Sequence, residues 1–344
     1  MTLTEKRPVV ARSDSARQGS RRGWIVFSVL MTVAVVGSIY VGHSGLSGSS
    51  RGNPAGHLSR ENALWGITNW PALFSVIFVV ITAGLAVAFA RISLRQRSMH
   101  HLLIVFLGVL AMSLLDPPAN WVTFTVFDPQ FLHYPTSWHW MSLAPLIEPI
   151  TNPPGYPMYY LTVALCSAWV AKRLLARARP EGWAARHPRT TYLLAGFVIG
   201  GIWDLATEVF MIRAHMYFYP QAWGPTVAAG HAGFPVVWGF YTWFSIGTVA
   251  LLLHRDDRGR SLAHGLAEKL PGRGRGGATS GRLVVATAAI LCALQLVPMG
   301  FFGAIRVSGL THPNLRTGWM YPESKVYDPY GDLRRAGIPG PYFK

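Results

Sequence analysis

The sequence predicts an all-α polytopic membrane protein: a bundle of about seven transmembrane helices with an aromatic-rich outer connection and a non-helical carboxy-terminal tail. Three observations predict it. Hydrophobic residues make up 51% of the 344-residue chain and charged residues 13%, about half the ~25% charge of soluble domains. Apolar stretches of spanning or near-spanning length recur along the chain. Basic residues gather in blocks beside those stretches rather than on one folded surface, which argues for membrane topology and against a nucleic-acid partner despite the net charge of +16.

The apolar stretches are approximately Trp24–Gly42, Trp70–Ala90, Leu102–Leu115, Pro157–Ala171, Tyr192–Ile212, Pro235–Leu253 and Leu283–Ile305. The third and fourth fall short of the ~20 residues a span requires, so they are expected to extend into their flanks or lie inside the bundle. Lys and Arg number six in 1–23, three in 91–101, six in 172–190 and seven in 254–282. The alternate connections hold two in 43–69, none in 116–156, one in 213–234 and six in 306–344. This bias predicts an integral cell-membrane protein with its amino terminus in the cytoplasm and its carboxyl terminus outside. The organisation expected is a basic tail over 1–23, a transmembrane domain over 24–305 and an extracytoplasmic tail over 306–344.

The first apolar run follows Arg21 and Arg22 but exits into His43-Ser44-Gly45 without an A-x-A-like site, so it reads as a retained anchor. Gly272-Arg273-Gly274-Arg275-Gly276-Gly277 follows no strand and opens no βαβ unit; it reads as a flexible basic linker rather than a phosphate loop. Cys166 and Cys292 lie far apart in apolar runs and form neither a disulfide framework nor a CxxC site. The histidines show no metal-ligand spacing, so no metal and no bound cofactor is expected.

The fifth stretch carries the most chemistry. Gly196, Gly200, Asp204 and Glu208 recur at i+4 and so share one helix face. The two glycines let a neighbouring helix approach closely. Asp204 lies about 12 Å from the outer end at 1.5 Å per residue, and an ionisable group at that depth marks a functional site by default. Asp116 and Glu148 approach from the same side of the membrane. The connection between them contains no Lys or Arg and is crowded with Trp121, Phe124, Phe127, Phe131, Tyr134, Trp138 and Trp140. It is expected to dip into the interface or re-enter the bundle and to wall an apolar cavity. His133 and His139 share this connection as candidate proton carriers.

Several strings together resemble one family. They are Asp116-Pro117 with Asn120-Trp121, Glu148-Pro149, Asp204 with Glu208, and Arg255-Asp256-Asp257-Arg258-Gly259-Arg260. The tail adds Val326-Tyr327-Asp328-Pro329-Tyr330-Gly331-Asp332 and Gly337-Ile338-Pro339-Gly340-Pro341-Tyr342. From the third stretch to the carboxyl terminus the chain resembles the AveC-type spirocyclases of macrolide biosynthesis, whereas its first 60 residues carry none of the likeness. The resemblance implies spiroketal formation in an avermectin-, milbemycin- or meilingmycin-like polyketide, in some members with a dehydration.

The acids read from the residues suit that chemistry. One carboxylic acid protonates a leaving oxygen while another carboxylate supports an oxocarbenium ion, as in glycoside cleavage. Glu208 or Asp204 is the expected proton donor, with the other stabilising the cation. Asp116 and Glu148 are expected as base or as acceptors that orient hydroxyls, and Asn120 as the residue that holds one of those acids. Trp121, Trp138, Trp140 and Trp203 are expected to shape the cavity around an apolar polyketide, with His133 beside it. The alternative from a different class is a proton-coupled carrier or exporter of an apolar polyketide, which buried acids in a polytopic bundle suit equally.

Overall fold

The computed structural model describes residues 69–271, 279–322 and 324–344, together with 29, 32–33, 35–42, 64 and 66–67. The basic tail over 1–23 and the Gly-Arg linker over 272–277 lie outside the described residues, as does much of the first apolar run, which is helical over 35–42. Eight further helices carry the architecture: α1 (Trp70–Gln96), α2 (His101–Met112), α3 (Asp116–Val122), α4 (Asn152–Tyr156), α5 (Thr162–Arg177), α6 (Pro188–Arg213), α7 (Val236–Leu253) and α8 (Ser280–Val307).

The protein is mostly helical, and five helical passages among the described residues are long and apolar enough to cross a membrane: 70–96, 101–122, 188–213, 236–253 and 280–307. The expected count of seven is not confirmed among the described residues. The first run is largely outside the described residues, and the fourth is a composite in which α4 passes through a π turn (Pro157–Leu161) into the shorter α5. The outward faces of the long helices are apolar, with Val198, Ile202, Val285 and Val297 all more than half exposed, a surface suited to lipid and not to water.

The third run extends into its flank as expected, and helix continues past Asp116. A 3-10 turn over Ser113–Leu115 leads straight into α3, so helix continues through Pro117 and Pro118 to Val122. The two prolines sit in the first turn of α3, where a missing N–H costs little. Asp116 and Asn120 therefore face the same way, one turn apart.

Within the bundle α6 packs along α7, α5 contacts both, and α2 packs against α8. One core runs between the helices around Val105, Val109, Leu161, Ile246, Val249 and Leu291. A second, richer in rings, lies at one end around Phe124, Phe218, Phe234, Trp238 and Tyr321. Short strands knit that end together. The connection after α3 supplies β1 (Val126–Phe127), which pairs antiparallel with β2 (Tyr217–Phe218) just beyond α6. Next come β3 (Gln221–Ala222), a hairpin of β4 (Thr226–Ala228) with β5 (Gly233–Pro235), and β6 (His312–Pro313), which pairs with β3. In the tail β7 (Val326–Tyr327) runs parallel to β8 (Tyr342–Phe343), and a single helical turn over Asp332–Arg335 lies between them.

Glycine sets the spacing of α6 and α7. A Cβ on Gly196 would lie 2.5 Å from the Cα of Gly247, and one on Gly200 would lie 2.9 Å from Ile246 Cβ. Gly84 on α1 has nothing within 4 Å. Gly196→Ala is therefore expected to lower stability by about 1–3 kcal/mol through overpacking. Gly84→Ala should be neutral or stabilising by up to ~1 kcal/mol. Thermal unfolding midpoints of the two variants in one detergent check the contrast.

Candidate active site

The close contact between α6 and α7 fixes what lies one and two turns further along α6. Asp204, 1% exposed, meets Gly239 of α7, where a Cβ would stand 3.0 Å from Asp204 Oδ2. Trp243 Nε1 donates to that same oxygen at 2.9 Å. The Tyr159 hydroxyl donates to Oδ1 at 2.9 Å and lies 2.8 Å from Thr207 Oγ1. Both carboxyl oxygens of Asp204 thus accept from a neutral donor. Glu208 is only half-buried and accepts from the Tyr219 hydroxyl at 3.0 Å through Oε2, with Tyr217 also within its reach. Burial, followed by the charge of Glu208, holds the Tyr217 and Tyr219 phenols well above their ordinary range, so both stay O–H donors at neutral pH.

A second carboxyl centre is built on α3 and α4. Asn120 Nδ2 donates to Asp116 Oδ2 and to Glu148 Oε1, each at 2.8 Å. Tyr156 donates its hydroxyl to Asp116 Oδ1 at 2.7 Å, and Asn152 Nδ2 donates to Glu148 Oε1 at 2.8 Å. Glu148 Oε2 is buried and meets no donor. Burial first, and the Asp116 charge second, raise the Glu148 carboxyl well above the usual range. A neutral Glu148 turns that orphaned oxygen into a hydroxyl donor toward Asp116.

Between the two centres lies a cavity of about 150 Å³. Asp116, Asn120, Asp204 and Glu208 line it, with Phe74 and Phe78 of α1, Phe127 and Phe131 of the connection, and Tyr241 of α7. Tyr156, Tyr159, Tyr217 and Tyr219 face it as well. Glu148 stands behind Asn120, outside the lining. The ion pairs among the described residues, Arg260–Glu268 and Arg335–Asp332, lie elsewhere, so no cation among those residues pairs with either centre. Nor do three or more His, Cys, Asp or Glu side chains gather as a metal ligand set among the described residues.

The tryptophans expected to shape the cavity lie outside its lining. Trp121, Trp138, Trp140 and Trp203 are 37–54% exposed; Trp140 donates to the Leu114 carbonyl at 3.0 Å. An amphipathic indole gains by keeping one edge at the polar boundary, and phenylalanines and tyrosines form the wall instead. His133 is buried outside the cavity lining, bridged to the lining residue Pro149, with Nδ1 3.0 Å from the Tyr134 carbonyl. The donors Tyr156, Tyr159, Tyr217, Tyr219, Asn152 and Trp243 were not anticipated. Their signal was present: Tyr156 and Tyr159 are three residues apart in a helix, and Tyr217 and Tyr219 alternate at strand spacing.

A family model described as Spirocyclase AveC-like matches residues 94–327. The chain belongs to the AveC-like spirocyclase family. The matched span contains both carboxyl centres and all their donors, while Phe74 and Phe78 precede it. No curated protein and no solved structure matches.

In this AveC-like chain Glu148 yields a pH signature. Its folded-state affinity for the proton exceeds that of an unfolded glutamate, whose pKa is about 4.3. Its neutral form favours the fold, so its contribution is fully present below that value and is lost as pH rises toward the raised folded value. Melting midpoints of wild type and Glu148→Gln across pH 4–8 should diverge accordingly. Wild type is expected to lose stability with rising pH more steeply than the glutamine variant.

Proposed function

We propose that this chain is a membrane enzyme that closes a spiroketal from an apolar keto-diol polyketide without a bound cofactor, by acid–base chemistry within the tyrosine-lined cavity. The observation that carries this reading is the pairing of two carboxyl centres, held by neutral donors and without a cation partner among the described residues, across one cavity. A volume of about 150 Å³ suits the ring-closing portion of the substrate, with the remainder of a macrolide lying outside.

Ring closure follows in three steps. One hydroxyl adds to the ketone to give a hemiketal. The hemiketal hydroxyl takes a proton and departs as water, leaving an oxocarbenium ion. The second hydroxyl then attacks that carbon and loses its proton, so one water is lost overall. Glu208 is the proton donor, because its carboxyl keeps surface toward the cavity, and its carboxylate recovers the proton from the attacking hydroxyl. Asp204, both of whose oxygens accept hydrogen bonds, is the anion that supports the cation. Asp116, held by Asn120 and Tyr156, orients the hydroxyls, and Glu148 sets its hydrogen bonding from behind. Aromatic faces such as Phe127 and Tyr241 stabilise the passing cation and restrict which side is attacked. The distribution of basic blocks supports a cytoplasmic amino terminus.

Detergent-solubilised protein incubated with a keto-diol precursor is expected to release one spiroketal isomer, resolved by chiral chromatography. A carrier would yield no enantioselective product under these conditions. Glu208→Gln should slow formation by about 10²–10⁴-fold, the usual worth of a general acid. Asp204→Asn should leave residual turnover with mixed isomers, because the cation is no longer held in one orientation against an anchored anion. Retention of both rate and isomeric purity in these two variants rules out this face of α6 as the site of reaction.

A further inference from the structure

The tail string Val326-Tyr327-Asp328-Pro329-Tyr330 has no part in the mechanism above, yet it ends on the carboxyl centre of α3 through one side chain. Arg306, in the last turn of α8, is 7% exposed. Its guanidinium carbon lies 4.2 Å from the ring centres of both Trp121 and Phe124. Its Nη1 donates to the Trp121 carbonyl and its Nη2 to the Tyr327 hydroxyl, while the Tyr330 hydroxyl donates back to the Arg306 carbonyl. Trp121 is the residue after Asn120, and its carbonyl is one of the last in α3, where the helix dipole is negative and a cation is favoured. The Asn120 carbonyl accepts from the Thr125 N–H at 2.9 Å, so the same helix end is held on its other side by the cavity-lining Thr125.

We propose that Arg306, fastened by Tyr327 of the tail, is a positioning residue that fixes α3 and thereby the Asn120 bridge between Asp116 and Glu148. A buried guanidinium ordinarily takes a carboxylate. Here its partners are two ring faces, a backbone carbonyl and a phenol, so it holds the acid-bearing helix without neutralising the acids. This arrangement gives the tail a stated task, since removing one phenol on β7 loosens a helix whose side chains line the cavity. The catalytic half of the inference rests on the spirocyclase reading; the structural half does not.

Tyr327→Phe removes one hydroxyl and leaves the ring, so it serves as the first variant, with Arg306→Lys and Arg306→Met beside it. Hydrogen exchange read by mass spectrometry is expected to speed up several-fold in peptides covering 116–125 and to stay unchanged in peptides covering 200–210. Turnover of the keto-diol is expected to fall about tenfold in Tyr327→Phe with KM within twofold of wild type. Lys, keeping the charge but not the two-armed fork, should fall between Arg and Met in both readings. Unchanged exchange over 116–125 in folded Tyr327→Phe overturns the latch. Faster exchange with unchanged turnover overturns the positioning role. A wild-type protein inactive on the keto-diol would count against the spirocyclase mechanism, and the exchange measurement alone would then decide the latch.

Discussion

A carboxyl group held away from water needs a donor for its oxygens, and the site is arranged around meeting that need with neutral groups. Phenols, an indole and carboxamides surround Asp116, Glu148, Asp204 and Glu208. A lysine or arginine in their place would satisfy the same oxygens but would pin each acid in its charged form. Arg306, the buried cation near α3, is turned instead toward ring faces and a backbone carbonyl. Donors without charge keep the acids able to gain and lose protons, which is the property that acid–base chemistry requires.

Packing delivers those donors to the right depth. The near-contact of Gly196 with Gly247 brings α7 close enough for Trp243 to reach Asp204. Larger residues would separate the helices and leave an orphaned carboxyl oxygen, whose burial without a partner costs about 1–3 kcal/mol. Structural glycines and the chemistry of the cavity are therefore one problem: the spacing of two helices decides whether an acid is satisfied.

Much of the helical framework was legible in the sequence, because runs such as Tyr192–Ile212 and Pro235–Leu253 are apolar with few interruptions. The shared face of Gly196, Gly200, Asp204 and Glu208 followed from spacing alone, as three of these four are buried on α6. Other features were not legible. The hydropathy of the third run ends at Leu115, yet Pro117-Pro118 form the first turn of a further helix, since proline breaks a helix interior but suits its start. The count of seven runs is not confirmed among the described residues, and at the fourth run the helix is assembled from pieces. Trp121, Trp138, Trp140 and Trp203 drew attention by their size, yet they lie exposed outside the cavity lining. The tyrosines that do the holding are scattered over the start of the fourth run, the residue just before it and the β2 region, and only the fold brings them to one cavity.

The π turn over Pro157–Leu161 sits between Tyr156, bound to Asp116, and the start of α5, and it contains Tyr159, bound to Asp204. Each residue advances a helix by about 100°. Deleting one residue from this stretch would swing α5 by roughly that angle against α4 and pull the two phenols out of phase. The pair of acids at opposite walls is thus synchronised by a single surplus residue, and the local winding of one helix acts as the vernier that sets both ends of the reaction chamber at once.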